Sequence, residues 1–203
     1  VAAHPDDEVI GCAGTIKKFT DSGNEVHLIV GSDGVSSRNT NKSEYIKRNE
    51  ALENSCEFLK INKIYKLQLP DNQMDTIPLL KITQDIEKVI QEYLPEIVFV
   101  NHYGDLNIDH QIIHRATLTA CRPQPNLCVK QIYSYEVMSS TDYQTDNSIK
   151  FMPNTFFDIS DVIEIKKESL KIYDKEMRKY PYSRSIENIV NNAKVRGASV
   201  GLK

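Results

Sequence analysis

Long hydrophobic runs are missing from this chain. None approaches the roughly 18 residues that a membrane span needs, so no span is read. No basic n-region followed by an apolar h-region is visible at its front. A massed block of Lys and Arg is missing too. The formal net charge is −3, and the densest basic patch (Lys166, Lys167, Lys171) alternates with Glu164, Glu168 and Asp174. That is a solvated helix face and gives no electrostatic footprint for nucleic acid. The four cysteines, at positions 12, 56, 121 and 128, have no CxxC spacing and lie in or beside apolar patterns. They read as buried thiols of a reducing compartment, which predicts a cytoplasmic location. Neither a repeat nor a linker interrupts the 203 residues, 40% of them apolar. The expectation is a single domain over 1–203 with a real core.

What is present alternates strand and helix. Val1-Ala2-Ala3 reads as the tail of a first strand truncated at its N-terminus, with a helix from about Asp7 to Asp21 after it. Strands are predicted at Val26–Val30, Ile64–Leu69, Ile97–Val100 and Gln131–Tyr135, with an edge strand at Phe156–Ile159. Helices are predicted over Glu44–Leu59, Pro78–Leu94, Asp109–Cys121 and Asp161–Tyr180, the last of these with Ser160 as its N-cap, and from Ser185 to about Lys194. Val35–Asn41 reads as a polar loop of the kind that lies over a site. This rhythm implies an α/β fold, Rossmann-like, with a mostly parallel sheet and helices on both faces. The first strand-to-helix turn is His-Pro-Asp-Asp-Glu, where a dinucleotide site needs Gly-x-Gly-x-x-Gly.

That turn carries the chemistry. His4, Asp6, Asp7 and Glu8 fall within five positions at the carboxyl end of a strand, the edge where open α/β sheets bind ligands. Carboxylates this close repel one another, and a cation relieves the repulsion. After the strand ending at Val100 comes a second cluster, Asn101-His102-Tyr103-Gly104-Asp105, then Asn107, Asp109, His110 and His114. In the common 3-2-1-4-5 strand order the two clusters face each other across one cleft. Two imidazoles and a carboxylate with an open position describe a hydrolytic zinc centre. The same trio describes the facial triad of a non-haem iron oxygenase. Spacing alone does not separate Asp6 from Asp7 as the ligand. His27, inside a strand, reads as a packed histidine, and His114 as an ordinary helix residue. Tyr45, Tyr103 and Tyr143 are weak candidates for stacking on a sugar.

Ala3-His4-Pro5-Asp6-Asp7-Glu8 together with Asp109-His110 resembles the LmbE/PIG-L family of zinc-dependent N-acetylglucosaminyl deacetylases. Supporting matches run along most of the chain: Ser32-Asp33-Gly34, Arg48 with Glu50, Pro70-Asp71 and Arg184-Ser185. The resemblance implies one Zn²⁺ per chain held by His4, Asp7 and His110, with Asp6 as the base acting on water at the metal. It implies a small amino-sugar conjugate as substrate, contacted by Arg48, Asp71, His102 and Arg184, and a chain able to form homo-oligomers. Asp109 is better placed behind a ligand histidine than on the metal. Many members have a histidine where this chain has Asn107. An amide donates to an oxyanion but does not shuttle a proton, so Asp6 must serve as both base and acid, or His102 must supply the proton. A non-catalytic carbohydrate-binding relative is the remaining alternative, and it would have no need of a base beside the metal.

Overall fold

Residues 1–3 run between two pairs of parallel strands in the computed structural model, which describes residues 1–38, 42–125 and 129–203. On one side the Ala2 N–H donates to the Ile29 carbonyl at 2.8 Å, and Gly31 donates back to the Ala2 carbonyl at 2.9 Å. On the other side the Val1 nitrogen donates to the Phe99 carbonyl at 2.6 Å. The Ala3 N–H donates to Asn101 Oδ1 at 3.0 Å. The strands so joined are β1 (His27–Ser32) with β2 (Lys63–Leu69), and β3 (Ile97–Asn101) with β4 (Gln131–Tyr135), both pairs parallel. With residues 1–3 counted first, the order is the expected 3-2-1-4-5.

Helices cover both faces. On one, α3 (Leu79–Tyr93) and α4 (Ile108–Ala120) send Ile82, Ile86, Ile90, Ile113 and Ala116 onto Ile29, Val98 and Val100. On the other lie α1 (Ala13–Asp21), α2 (Lys42–Phe58), α5 (Ile163–Ile172) and α6 (Ile186–Ala198). There Val9, Leu59, Tyr135, Leu170, Tyr173 and Ile189 form a second apolar cluster. Among the described residues no helix is long and apolar enough to cross a membrane. Cys12, Cys56 and Cys121 are buried free thiols. Cys128 and the Asn39–Asn41 end of the polar loop lie outside the described residues.

Three local expectations are corrected. Phe156–Ile159 makes no strand; it is a strap whose Phe157 ring packs 5.5 Å from Phe99 and 5.3 Å from Tyr133, so its apolar residues cover the sheet instead of extending it. The helix predicted over Asp161–Tyr180 ends at Ile172, because Tyr173 turns inward (2% exposed) and the chain bends to bring Glu176 under the site. Ser160 does not cap it; its own N–H donates to Asp158 Oδ1 at 2.9 Å. The first helix opens with a π-turn at Glu8–Cys12, whose extra residue frees backbone carbonyls. The buried Lys166 ammonium answers them, donating to Ile10 O at 2.6 Å and Val9 O at 3.0 Å.

Candidate metal and catalytic site

His4 to Glu8 leave the central strand at its carboxyl end, and His110 sits in the first turn of α4, beside them. His4 Nδ1 lies 3.2 Å from His110 Nε2. Asp7 Oδ2 lies 3.4 Å from the same His110 nitrogen and 3.7 Å from His4 Nδ1. The outer nitrogen of each ring is tied to a carboxylate: His4 Nε2 to Asp109 at 3.1 Å, and His110 Nδ1 to Asp105 at 2.7 Å. Carboxylates only accept, so in the neutral tautomers both facing nitrogens are bare lone pairs. Asp7 Oδ1 is buried and has no partner.

These residues fit a zinc ion. Tetrahedral zinc with bonds of about 2.0–2.1 Å sets neighbouring ligand atoms roughly 3.3 Å apart, close to the three separations here. Three electron-rich atoms converging in a buried place require a positive charge. A proton supplies it when nothing else does. Burial works against the His4 imidazolium, but Asp109 and Asp7 outweigh it and hold its pKa up to about 10. Burial likewise opposes the Asp7 carboxylate, yet His110 and His4 keep it below the usual carboxylate range.

Asp109 also fixes the loop after β2, accepting from Asn72 N at 2.7 Å and Met74 N at 3.1 Å. It stands beside His4 Nε2 at 3.1 Å. Asp71 stands 3.5 Å from His4 Nε2, but its oxygens are occupied by Ser37 (N–H at 3.1 Å, hydroxyl at 2.5 Å), Ser32 and Asn72. Asp71 therefore fastens the loop after β1 over the site.

Asp6 has φ +119, a conformation that costs a non-glycine residue about 1–3 kcal/mol and persists only where its surroundings hold it. Its Oδ2 meets two guanidiniums, Arg48 Nη2 at 3.1 Å and Arg184 Nη1 at 3.0 Å. Arg48 also lies 2.9 Å from Glu176 Oε1, and Arg38 grips Glu176 with a fork of 3.1 and 3.0 Å. The contact of Arg48 with Glu176 is a charge contact off the N–H directions. Its Nε and Nη1 have no aligned hydrogen bond among the described residues. Glu8, 2% exposed, accepts from the Asp6 N–H at 2.9 Å and from Tyr173 and Ser55 hydroxyls at 2.6 and 3.0 Å. Burial pushes its pKa up to about 7.

A cavity of about 250 Å³ collects His4, Asp6, Arg48, Asp71, Asn107, His110 and Arg184, with Arg38 and Ser139 at its wall. Asn107 is here first as a helix cap: its Oδ1 accepts the Asp109 N–H at 2.9 Å, and Nδ2 donates to Asn72 Oδ1 at 3.1 Å. One amide N–H remains. His102 is not brought to this cavity. It lines another, and its Nε2 donates to the Ile149 carbonyl at 2.8 Å. His114 donates to the Asn101 carbonyl at 2.8 Å, and His27 packs beside Tyr93 at 4.1 Å. Tyr45, Tyr103 and Tyr143 are exposed and do not line the cavity. Sequence reasoning missed Arg38, Glu176, Asp105 and Ser139, and gave Glu8 no task.

A sequence profile of the family described as "PIG-L: GlcNAc-PI de-N-acetylase" matches residues 1–121. Diacetylchitobiose deacetylase of Thermococcus kodakarensis is 28% identical over 199 residues, which is 87% of this chain and 68% of that protein. The structure of N,N'-diacetylchitobiose deacetylase from Pyrococcus horikoshii in complex with its inhibitor MPG superposes with a TM-score of 0.80 at 22% identity, covering 99% of this chain and 78% of that one. The 4-carboxy-2-hydroxymuconate hydratase of Pseudomonas putida KT2440 superposes with a TM-score of 0.77 at 18% identity, covering 98% and 84%. At such identities the structural likenesses speak for the fold, which a deacetylase and a hydratase share.

Proposed function

Because the chain belongs to the PIG-L family of GlcNAc-PI de-N-acetylases, we propose that it hydrolyses the N-acetyl group of an N-acetylglucosamine-type sugar conjugate, with one zinc ion held by His4, Asp7 and His110. The observation that carries the reading is the convergence of those three ligand atoms, with His4, His110 and Asp6 lining one small cavity. Zinc bound there supplies Lewis acidity, polarising the acetyl carbonyl and bringing water's pKa from about 15.7 toward about 7.

The chain's own groups do the rest. Arg48 and Arg184 share Asp6 Oδ2, which leaves Oδ1 to take the proton from attacking water and return it to the leaving amine. Such proton transfer is worth typically ~10²–10⁴-fold. With His102 engaged elsewhere, Asp6 serves as both base and acid. Arg184, whose side chain is 18% exposed at the cavity, offers donors to sugar hydroxyls, with the more deeply buried Arg48 beside it. The spare N–H of Asn107 faces the developing oxyanion. The cavity, about 250 Å³, is small beside the ~300–1,000 Å³ of pockets that hold drug-sized ligands. It suits one pyranose ring, with the rest of the conjugate outside. Oxygenase chemistry from the same ligands is not favoured: a carboxylate held by two arginines beside the metal group serves proton transfer, which hydrolysis needs.

Acetate release from a panel of N-acetylglucosamine conjugates by the zinc-loaded protein tests the proposal. Release from at least one of them, lost on chelation and restored by zinc, is expected. A zinc-replete protein inert to the whole panel overturns it.

A further inference from the structure

Asp6 occupies a backbone conformation that glycine would adopt without strain, yet a glycine there would carry no carboxylate. The side chain is retained at the cost of strain, and something must hold it. Its N–H donates to Glu8 Oε2 at 2.9 Å, while its carbonyl accepts from Val9 and Ile10 at 3.1 and 2.9 Å. Glu8 is itself immobilised. The Tyr173 hydroxyl at the end of α5 reaches Glu8 Oε1 at 2.6 Å, and the Ser55 hydroxyl from α2 reaches the same oxygen at 3.0 Å. The Tyr173 ring also lies 5.4 Å from the Arg48 guanidinium, which in turn meets Asp6. A glutamate in a first helical turn ordinarily faces solvent; this one is 2% exposed and points back at the residue two before it.

We propose that Glu8 is a positioning residue for the reaction, bolting the Asp6 backbone in its positive-φ conformation so that the Asp6 carboxylate meets Arg48 and Arg184 beside the metal ligands. Glu8 lies behind Asp6 and does not line the cavity. The inference rests on the reading of Asp6 as the proton carrier.

The test compares wild type, Glu8→Ala and Glu8→Gln, each loaded with zinc, by acetate-release kinetics and by crystal structures. Glu8→Ala is expected to bind zinc with unchanged stoichiometry and to lose about a hundredfold in kcat, with KM held within about threefold. In its crystal structure Asp6 leaves positive φ and its carboxylate leaves Arg48. Glu8→Gln keeps an amide oxygen for the Asp6 N–H, and its NH₂ can donate to the two hydroxyls. It should recover kcat to within about fivefold of wild type. Unchanged kcat in Glu8→Ala, an equal loss in Glu8→Gln, or an Asp6 conformation that persists without Glu8 overturns the proposal. Should Glu8→Ala not fold, the double variant Ser55→Ala/Tyr173→Phe loosens Glu8 while sparing its carboxylate. A drop of about tenfold in kcat with KM unmoved is then expected, and wild-type kcat overturns the idea. If wild type releases no acetate at all, the deacetylase reading fails, and the Asp6 conformation in the variant crystals still decides the role of Glu8.

Discussion

His4 and His110 face each other with ring nitrogens 3.2 Å apart, and each ring is turned to that position by a carboxylate on its far side, Asp109 and Asp105. Two carboxylates thus fix how the pair is oriented. Carboxylate partners behind metal-binding imidazoles fix the tautomer and raise ligand basicity, so both the histidines and their partners are open to measurement.

His110→Ala should lose zinc while the fold survives, because the ring contributes to the site more than to either apolar cluster. Asp105→Asn should keep the site but weaken zinc by about 10–100-fold, read by competition with a chelating dye. Full zinc occupancy in His110→Ala would remove that residue from the ligand set.

Asp6→Asn should keep zinc and lose ~10²–10⁴-fold in turnover, since an amide does not accept the water proton. The zinc content is the control. A variant that loses metal and activity together would mean that Asp6 belongs to the ligand group.

Why some of this was legible in the sequence, and some not, follows from range. The two clusters around His4 and His110 were readable because each follows a strand, and the strand order brings those two strand ends together; the choice of Asp7 over Asp6 came from the family resemblance, since spacing does not separate adjacent carboxylates. Asn107 was readable as a polar residue at a helix start, though its capping bond to Asp109 shows only in three dimensions. Glu176 was not readable at all. It lies in a stretch whose periodicity continues α5, and only the inward turn of Tyr173 ends that helix and delivers a carboxylate to Arg48 and Arg38. His102 misled for the opposite reason: it leaves the right strand at the right edge, but its ring turns to the Ile149 carbonyl. Glu8 counted only as one of the clustered carboxylates, and no local signal distinguishes one aimed inward.

Glu176→Gln should destabilise the fold by about 3 kcal/mol, near the low end for breaking a buried ion pair. The low end applies because the Arg38 side chain is 48% exposed while Glu176 is 7% exposed. The variant leaves Asp6 as the carboxylate that Arg48 and Arg184 share and takes from Arg38 the carboxylate that it forks. Chemical denaturation of the zinc-loaded protein measures the change, and a loss under about 0.5 kcal/mol would place Glu176 among surface pairs.

Lys166 should give stability an upward slope with pH in mild alkali. Burial lowers its pKa from 10.5 to about 8, with Cys12 and Glu136 pulling the other way. Between those values the unfolded chain holds more protons than the folded one, so stability rises with pH across the window. The gain totals about 3 kcal/mol at about 1.4 kcal/mol per unit. Taking wild type minus Lys166→Met at each pH cancels the other titrating groups. A flat difference from pH 8 to 10.5 would show that folding does not lower the Lys166 pKa.

Asn107 carries two tasks that two substitutions separate. Its Oδ1 caps α4 through the Asp109 N–H, its Nδ2 spans to Asn72 with one N–H left over, and the residue lines the cavity. Serine keeps a cap oxygen and has no amide donor; alanine has neither. Serine, asparagine and aspartate are close to equal as caps, while alanine costs about 1 kcal/mol. Asn107→Ser should therefore match wild type in stability within a few tenths of a kcal/mol, yet lose about tenfold or more in kcat as an oxyanion donor goes. Asn107→Ala should show the same kinetic loss with the cap penalty added. Asn107→His, which restores the residue common in the resembling family, should lose stability like alanine, because an imidazole is a poor cap, whatever it adds as a proton donor. The division would be falsified if Asn107→Ser kept full kcat, since the amide N–H would then serve only the bond to Asn72. Equal kinetic loss in the serine and alanine variants, with unequal stability, is the result that assigns capping to Oδ1 and substrate contact to Nδ2.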